Sequence, residues 1–451
     1  MEAGNPAIAT TRCQPFSLTP FGAGARLPAM ILIHAADLHL GKTLHERELG
    51  EEQEEMLDAL VALLAERRPA ALLLAGDIYD RAIPSPAAIG LLDRFLSRAV
   101  EAAPETAIVI IPGNHDSASR LAFGSGLFRK AGVHVFTRLA DSLEPVVLWS
   151  GEGSGSSGPG PGPSSSPESC AIWALPFLGG AGAGEGDGAP RGQAAIFAAA
   201  IEDIGRKMQA RQSDAETKGS AAPNYNVLLA HCLARGGTTS ESERAFIGLA
   251  EEVDAALFDA FDYAALGHLH RPQAAGAKGR YSGAPLAYSF GEALRVGPGE
   301  PYAGDERGFI QVELGRDGAR AELIPHKPRR RLVRIEASFE KLCDSSAFGE
   351  YREDLVEAYL TEALPVLDPT ERLKSVFPNL LSVRQAAFEA RLPGAGRGLE
   401  AALDTGGDPE DPRRLLGDFA AFHREMKGEE PDEATALLFR SIAEEASHAA
   451  D

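Results

Sequence analysis

Three apolar runs early in the chain share one habit. ILIHAADLHLG, ALLLAGDIYD and AIVIIPGNHD each carry a short block of Val, Ile, Leu and Ala and then break into Gly, Asp or Asn. Blocks of this kind have the length of a strand buried on both faces, the signature of a parallel sheet covered by helices. Between them the apolar spacing becomes helical. Leu57, Leu60, Val61 and Leu64 fall on one face amid glutamates and arginines, and a second helix opens at Ser85-Pro86, a cap followed by a first-turn proline. That second helix is expected to bury Ile89, Leu92 and Leu96. The first part of the chain therefore reads β-α-β-α-β, an α/β fold.

Later segments extend the pattern. NVLLAHC and DYAALGHLH are two more apolar runs that end in polar residues, and LEPVVLWS with CAIWALPF reads as a strand pair. The pair is split by Ser150 to Ser169, a stretch of Gly, Ser, Pro and Glu that cannot bury enough apolar surface to order itself. A second Gly-rich stretch runs from Gly179 to Gly192. After about Pro328, RLVRIEASF reads as a strand, DPTERLKSVFP as a short helix and NLLSVRQ as a strand, a small α/β unit. Gly and acidic residues from Gly394 to Glu410 read as a linker. Beyond it Leu415, Phe419, Phe422 and Met426 recur at helical spacing, and Leu438 and Ile442 mark a second helix.

The residues that end the apolar runs change the picture from fold to chemistry. They are Asp37 and His39, Asp77 and Asp80, Asn114, His115 and Asp116, His231, and finally His268 and His270. One such residue after a strand is more often a turn former than a ligand. Five segments together are not explained by turns, and ligands in open α/β sheets bind at the carboxyl ends of the strands. Two divalent cations about 3.5 to 4 Å apart can clamp a phosphate, activate a water and stabilise the leaving oxygen. Holding them takes a carboxylate able to bridge, flanked by neutral imidazole and by amide or carboxylate oxygen. That mixture suits manganese, iron or zinc better than magnesium. The set contains no thiolate, which argues against a structural zinc site.

Composition narrows the setting. At 451 residues and 44% hydrophobic the chain can build a sizeable core and exceeds one average domain. No run of about twenty apolar residues reads as a membrane span. Cys13, Cys170, Cys232 and Cys343 are irregularly spaced, which suits a reducing compartment, and a cytoplasmic location is expected. Residues 1–29, rich in Ala, Gly, Pro and Thr, read as a disordered extension or a misassigned start ahead of Met30. Among the other histidines, His34 lies in mid-strand and reads as a core polar group. His45, His134, His326, His423 and His448 lack neighbours of ligand type and are assigned to the surface.

In this order, D-x-H, G-D-x-x-D, G-N-H-D, a lone His and G-H-x-H resemble the motifs of the calcineurin-like metallophosphoesterases. Within that superfamily HAADLHLGKTL, GDIYDRAIPSPAA and GHLHRPQ followed by RYSGAPLAYSFGEA resemble the SbcD family, the nuclease subunits of bacterial SbcCD complexes, from Met30 to the C-terminus. The resemblance implies a two-sheet sandwich flanked by helices over 30–327, a small α/β capping domain over 328–393, a linker over 394–410 and a helix pair over 411–451. It implies that one cation takes Asp37, His39 and His270, the other Asn114, His231 and His268, with Asp77 bridging. His115 would protonate or stabilise the leaving oxygen, with Asp116 orienting its ring; Asp116 also reads as a turn or cap residue. Asp80 is either phosphate-facing or an ordinary loop acid. Lys42 and Arg271 either reach phosphates or are solvated loop charges.

The same resemblance implies two divalent cations, with manganese favoured, and phosphodiester hydrolysis in DNA ends and hairpins. It implies an SbcC-type coiled-coil ATPase as partner, gripped by the stripe of Leu415, Phe419, Phe422 and Met426, and a homodimer of nuclease subunits within a heterotetramer. A net charge of −21 is awkward for an enzyme of DNA. It favours a subunit whose cations and partner supply the positive charge over a stand-alone DNA binder; the basic stretch Lys327, Arg329, Arg330 and Arg331 reads either as a backbone contact or as a solvated linker. No G-x-x-x-x-G-K-[ST] loop occurs, so ATP binding by that route belongs to the partner. The competing readings are a phosphodiesterase or phosphatase of small molecules and a non-catalytic scaffold subunit.

Overall fold

The computed structural model describes residues 30–149, 168–178, 192–218, 222–238, 252–297, 306–344 and 346–389. The extension 1–29, most of the Gly-rich insert, the linker and the helix pair with its stripe Leu415, Phe419, Phe422 and Met426 lie outside the described residues, as do His423 and His448. The chain divides into two compact units, Met1–Thr361 with Val366–Arg384, and Glu362–Pro365 with Gln385–Asp451. Both large sheets and every site residue described belong to the first.

The chain opens with β1 (Met30–Ala35), a hairpin of β2 (Thr43–Leu44) and β3 (Arg47–Glu48), α1 (Gly50–Arg67), β4 (Ala71–Ala75), α2 (Pro86–Ala102) and β5 (Ala107–Ile111). Two single-turn helices, α3 (Ala118–Leu121) and α4 (Ser125–Phe128), precede β6 (Val133–Val135), β7 (Val146–Trp149) and β8 (Ser169–Leu175). Next come α5 (Gln193–Lys218), β9 (Tyr225–His231), β10 (Tyr263–Gly267), β11 (Gln273–Ala275), β12 (Gly279–Tyr281) and β13 (Leu294–Val296). The last strands are β14 (Gly308–Gly315), β15 (Gly318–Pro325), β16 (Leu332–Ala337), β17 (Leu355–Leu360) and β18 (Leu380–Gln385).

Two six-stranded sheets result, in the orders β15-β14-β1-β4-β5-β6 and β11-β12-β10-β9-β8-β7. In the first, β1, β4, β5 and β6 run parallel; in the second, β8, β9, β10 and β12 do. The period of two along each strand builds the layers. Leu32, Leu73 and Val109 meet Ile172, Val227 and Ala265 between the sheets. Ile33, Leu72, Leu74 and Ile108 pack outward on α1 and α2, and Trp173, Leu228 and Ala230 pack outward on α5. This is the expected two-sheet sandwich with helices outside, and the β-α-β-α-β start is as read from the sequence. A smaller sheet, β13-β16-β17-β18, has its own core of Val333, Ile335, Phe339, Val356, Leu373 and Phe377.

One helix differs from expectation. Ser85 caps α2 by accepting from the Ala88 amide, as read, and Leu92 is buried. Yet Ile89 is 49% exposed and Leu96 only partly buried. The buried stripe is Ala88, Leu91, Leu92, Phe95 and Ala99, so packing against α1 turns the helix away from Ile89.

β7 and β8 are antiparallel, and Trp149 is the register partner of Ser169. Replacing residues 150–168 with a short Gly-containing turn is therefore expected to leave Tm unchanged or slightly raised, because each halving of a loop returns only about 0.6 kcal/mol of closure entropy. Thermal denaturation checks this. A drop of about 10 °C would mean several kcal/mol of lost packing and a structural role for the segment.

Candidate metal centre

The parallel strands of both sheets deliver the motif residues to one end of the sandwich. β1 leads to Asp37 and His39, β4 to Asp77 and Asp80, β5 to Asn114, His115 and Asp116, β9 ends in His231, and β10 leads to His268 and His270. The loops are tied backbone to backbone, Asp37 N–H to Gly76 O at 3.1 Å and His39 N–H to Asp77 O at 2.9 Å. Asp37, His39, Asp77 and His268 all have positive φ, of 54°, 44°, 49° and 111°. Non-glycine residues held there cost on the order of 1 to 3 kcal/mol each and gather at functional sites. Close approach also explains Gly113, where an added Cβ would lie 2.1 Å from Asp77 Oδ1.

Among the described residues three groups of donors form; two hold expected ligands alone, and the third is His39 with Asp80 and His115. The ligand atoms of Asp37, His39 and His270 lie within 4.8 Å of one another, with the two Nε2 atoms 3.1 Å apart. Asp37, Asp77 and His231 make a second such group. Asn114 Oδ1 lies 2.9 Å from His231 Nε2 and 3.0 Å from His268 Nδ1. Asp77 Oδ2 lies 3.7 Å from His39 Nε2 and 3.7 Å from His231 Nε2, midway between the clusters. All the expected ligands are thus brought together.

The donors fit cations. His231 Nδ1 is 2.8 Å from Ala75 O, which makes it the protonated nitrogen and leaves the Nε2 lone pair facing Asn114 Oδ1. His268 Nδ1 faces the same Asn114 oxygen. A divalent cation among these atoms satisfies the lone pairs at once. Protonation agrees. Burial holds His39 and His231 below the ordinary imidazole range, and burial with the neighbouring His231 lowers His268 to about 3, so these rings are neutral. Burial opposes the Asp77 charge, yet its carboxyl lies below the ordinary carboxylate range, helped by the His115 backbone N–H that it accepts at 2.9 Å.

His115 stands beside the first cluster, its ring edge-on to His39 at 4.8 Å between centroids. Its Nδ1 lies 2.9 Å from the Asp80 carbonyl, and its backbone N–H donates to Asp77 Oδ1 at 2.9 Å. The expected orienting contact from Asp116 is not what holds the ring. Asp116 accepts the backbone N–H groups of Gly113, Ile78 and Tyr79 at 2.8 to 2.9 Å, clasping the β4 and β5 loops together. This is neither the ring contact nor the Asx turn or helix cap read from the sequence, and burial and then the Asp77 charge raise its carboxyl to about 7. Asp80 is buried, takes the Lys42 ammonium at 2.8 Å and stands 3.6 Å from His39 Nδ1. Lys42 is therefore paired with a loop acid, and Arg271 is half-buried one residue beyond His270.

Among the remaining histidines, His34 bonds Tyr263 Oη at 3.1 Å inside the sandwich, where burial lowers it to about 3. His45 is exposed as expected, while His134 and His326 are half-buried rather than on the surface. The basic stretch is partly neutralised: Arg330 pairs with Glu51 and Glu52, and Arg331 with Asp354. Sequence reading missed Gln53, whose amide donates to His39 O at 2.6 Å and whose Oε1 accepts from Gly41 N. Its signal was its place three, four and seven residues before Met56, Leu57 and Leu60, a buried position filled by an amide. Glu292 and Arg307, against His270, were also missed. Among the described residues no helix is long and apolar enough to cross a membrane.

A model of the calcineurin-like phosphoesterase family matches residues 30–165. A curated relative from Staphylococcus epidermidis, the SbcD component of the nuclease SbcCD, is 29% identical over 374 residues, covering 80% of this chain and 86% of the relative. Two solved structures are more loosely similar. One is a Thermus thermophilus protein, at TM-score 0.34 and 15% identity, covering 65% of this chain and 98% of its own. The other is a dimetal phosphatase from Danio rerio, at TM-score 0.31 and 10% identity, covering 66% and 100%. Likenesses this loose carry no weight. Residues 30–165, which supply Asp37, His39, Asp77 and Asn114, are thus similar to the calcineurin-like phosphoesterase family, and over most of its length the chain is similar to the SbcD component of the SbcCD nuclease.

Proposed function

We propose that this chain is a DNA exonuclease and endonuclease subunit that uses two divalent cations, manganese favoured, to hydrolyse phosphodiesters in DNA ends and hairpins. It would work in the cytoplasm as a homodimer within a heterotetramer with an SbcC-type coiled-coil ATPase. The observation that carries the two-cation reading is the place of Asp77, with one carboxylate oxygen 3.7 Å from an imidazole of each donor cluster. When bound, the cations polarise the phosphate and lower the pKa of an attacking water.

The protein supplies the rest. Asp37, His39 and His270 would hold one cation and Asn114, His231 and His268 the other, with Asp77 available to both. His115, with Nδ1 set on the Asp80 carbonyl, presents Nε2 as the nitrogen that stabilises or protonates the leaving oxygen. Asp116 keeps the two loops in register. The DNA and ATPase parts of the reading rest on the similarity to the SbcD component of SbcCD and on the apolar stripe of Leu415, Phe419, Phe422 and Met426, which suits a partner helix. The charge of −21 fits an enzyme that leaves most DNA holding to a partner.

The test compares the full chain and a truncation after Gly407 on linear DNA, hairpin DNA and a small phosphodiester, with manganese, with and without the ATPase. The full chain is expected to cleave DNA and to co-purify with the ATPase; the truncation should keep the small-substrate activity and lose the ATPase. Cleavage of the small phosphodiester alone, whatever the partner, would favour the small-molecule enzyme. No hydrolysis by a metal-loaded chain would favour the scaffold.

A further inference from the structure

Of the four imidazoles in the two clusters, His270 has the most elaborate support, and none of it lies in the five motifs. Its Nδ1 is 3.1 Å from Glu292 Oε1. His231 uses a backbone carbonyl for this purpose, and His39 Nδ1 stands 3.6 Å from the Asp80 carboxylate, beyond hydrogen-bond distance. Glu292 is only 1% exposed, with its side chain wholly buried. A buried carboxylate persists only where its charge and lone pairs are satisfied. Here Oε1 also accepts from Ser289 Oγ at 3.1 Å, and Oε2 faces the Tyr288 N–H at 3.2 Å and an Arg307 guanidinium nitrogen at 3.2 Å. The other guanidinium arm donates to the His270 carbonyl at 2.9 Å and to Ala284 O at 3.1 Å. One ion pair therefore grips the ring and the backbone of the same ligand.

We infer that Glu292, clamped by Arg307, is the positioning residue for His270. It holds the proton on Nδ1, leaves Nε2 as the lone pair turned toward His39 Nε2, and strengthens that nitrogen as a ligand. The assignment rests on the metal-centre reading above and concerns one cation of the pair, the one shared by Asp37, His39 and His270. Carboxylates that support ligating imidazoles typically account for about 10-fold to 100-fold in metal affinity.

The experiment is a manganese titration of the full chain followed by electron paramagnetic resonance, with kcat measured on a small phosphodiester as manganese is raised. Wild type should fill two sites. Glu292→Ala should weaken one site by about 10-fold to 100-fold and leave the other unchanged, and excess manganese should restore kcat, which a general loss of structure would not permit. Glu292→Gln, close in shape and uncharged, should weaken the same site by about 10-fold and carries the test should the alanine variant fail to fold. Two sites of wild-type affinity in a folded Glu292→Gln protein overturn the assignment, as does equal loss of both. A wild-type chain that binds no manganese overturns the metal-centre reading first, and this assignment with it.

Discussion

Asp77→Asn is expected to strip both cations from the protein in one step. Asp77 Oδ2 stands 3.7 Å from an imidazole nitrogen in each cluster, so under the proposed reading one carboxylate would serve both cations. Asparagine is the informative replacement. It tolerates the left-handed backbone at φ 49° and can still accept the His115 N–H through Oδ1, so the loop survives while the charge is lost. Metal analysis should fall from two ions per chain to none, and the rise in Tm that manganese gives the wild type by mass action should vanish. Hydrolysis should drop by at least about 10³-fold, since a positioned metal supplies several kcal/mol and each 1.36 kcal/mol is tenfold. Two tightly bound ions in the folded variant would mean that another group bridges.

His115→Ala should give the opposite separation, full metal content with kcat lowered by about 10² to 10⁴, the range of a positioned imidazole. The backbone N–H that His115 gives to Asp77 is kept in the variant, so the bridging carboxylate stays oriented. What disappears is the ring, held by Nδ1 on the Asp80 carbonyl at 2.9 Å. His115 also forms a compact group with His39 and Asp80, so the competing outcome is definite: loss of one ion in the alanine variant would make His115 a ligand.

The local part of this protein was legible in its residues because its causes are local. A block such as ALLLA can bury both faces only between two helical or sheet layers, so its length and apolarity already predict a central parallel strand. Asp, Asn and His at the ends of such blocks already mark the carboxyl edge of a sheet, and the mixture of imidazole with carboxylate already suggests a pair of cations. Neither inference needs to know where the second sheet lies. Ser85-Pro86 likewise announces its helix from two adjacent residues.

Whatever depends on which distant surface meets which was decided only by the tertiary structure. α2 offers two overlapping apolar stripes, and only its seat beside α1 selects Ala88, Leu91 and Phe95 over Ile89. Asp116 looks like a partner for its neighbour His115, yet its carboxylate is consumed by Ile78 and Tyr79 from another loop. Arg330 and Arg331 look like a surface for phosphates until folding brings Glu51, Glu52 and Asp354 to them. Glu292 stands within RYSGAPLAYSFGEA, but nothing in that segment names its partner: it lies 22 residues from His270 in the chain, and only the packed loop places a buried carboxylate on that ring. Spacing along a chain encodes period and local turn chemistry, whereas the partner of a buried charge is fixed by long-range contacts whose sequence separation carries no pattern.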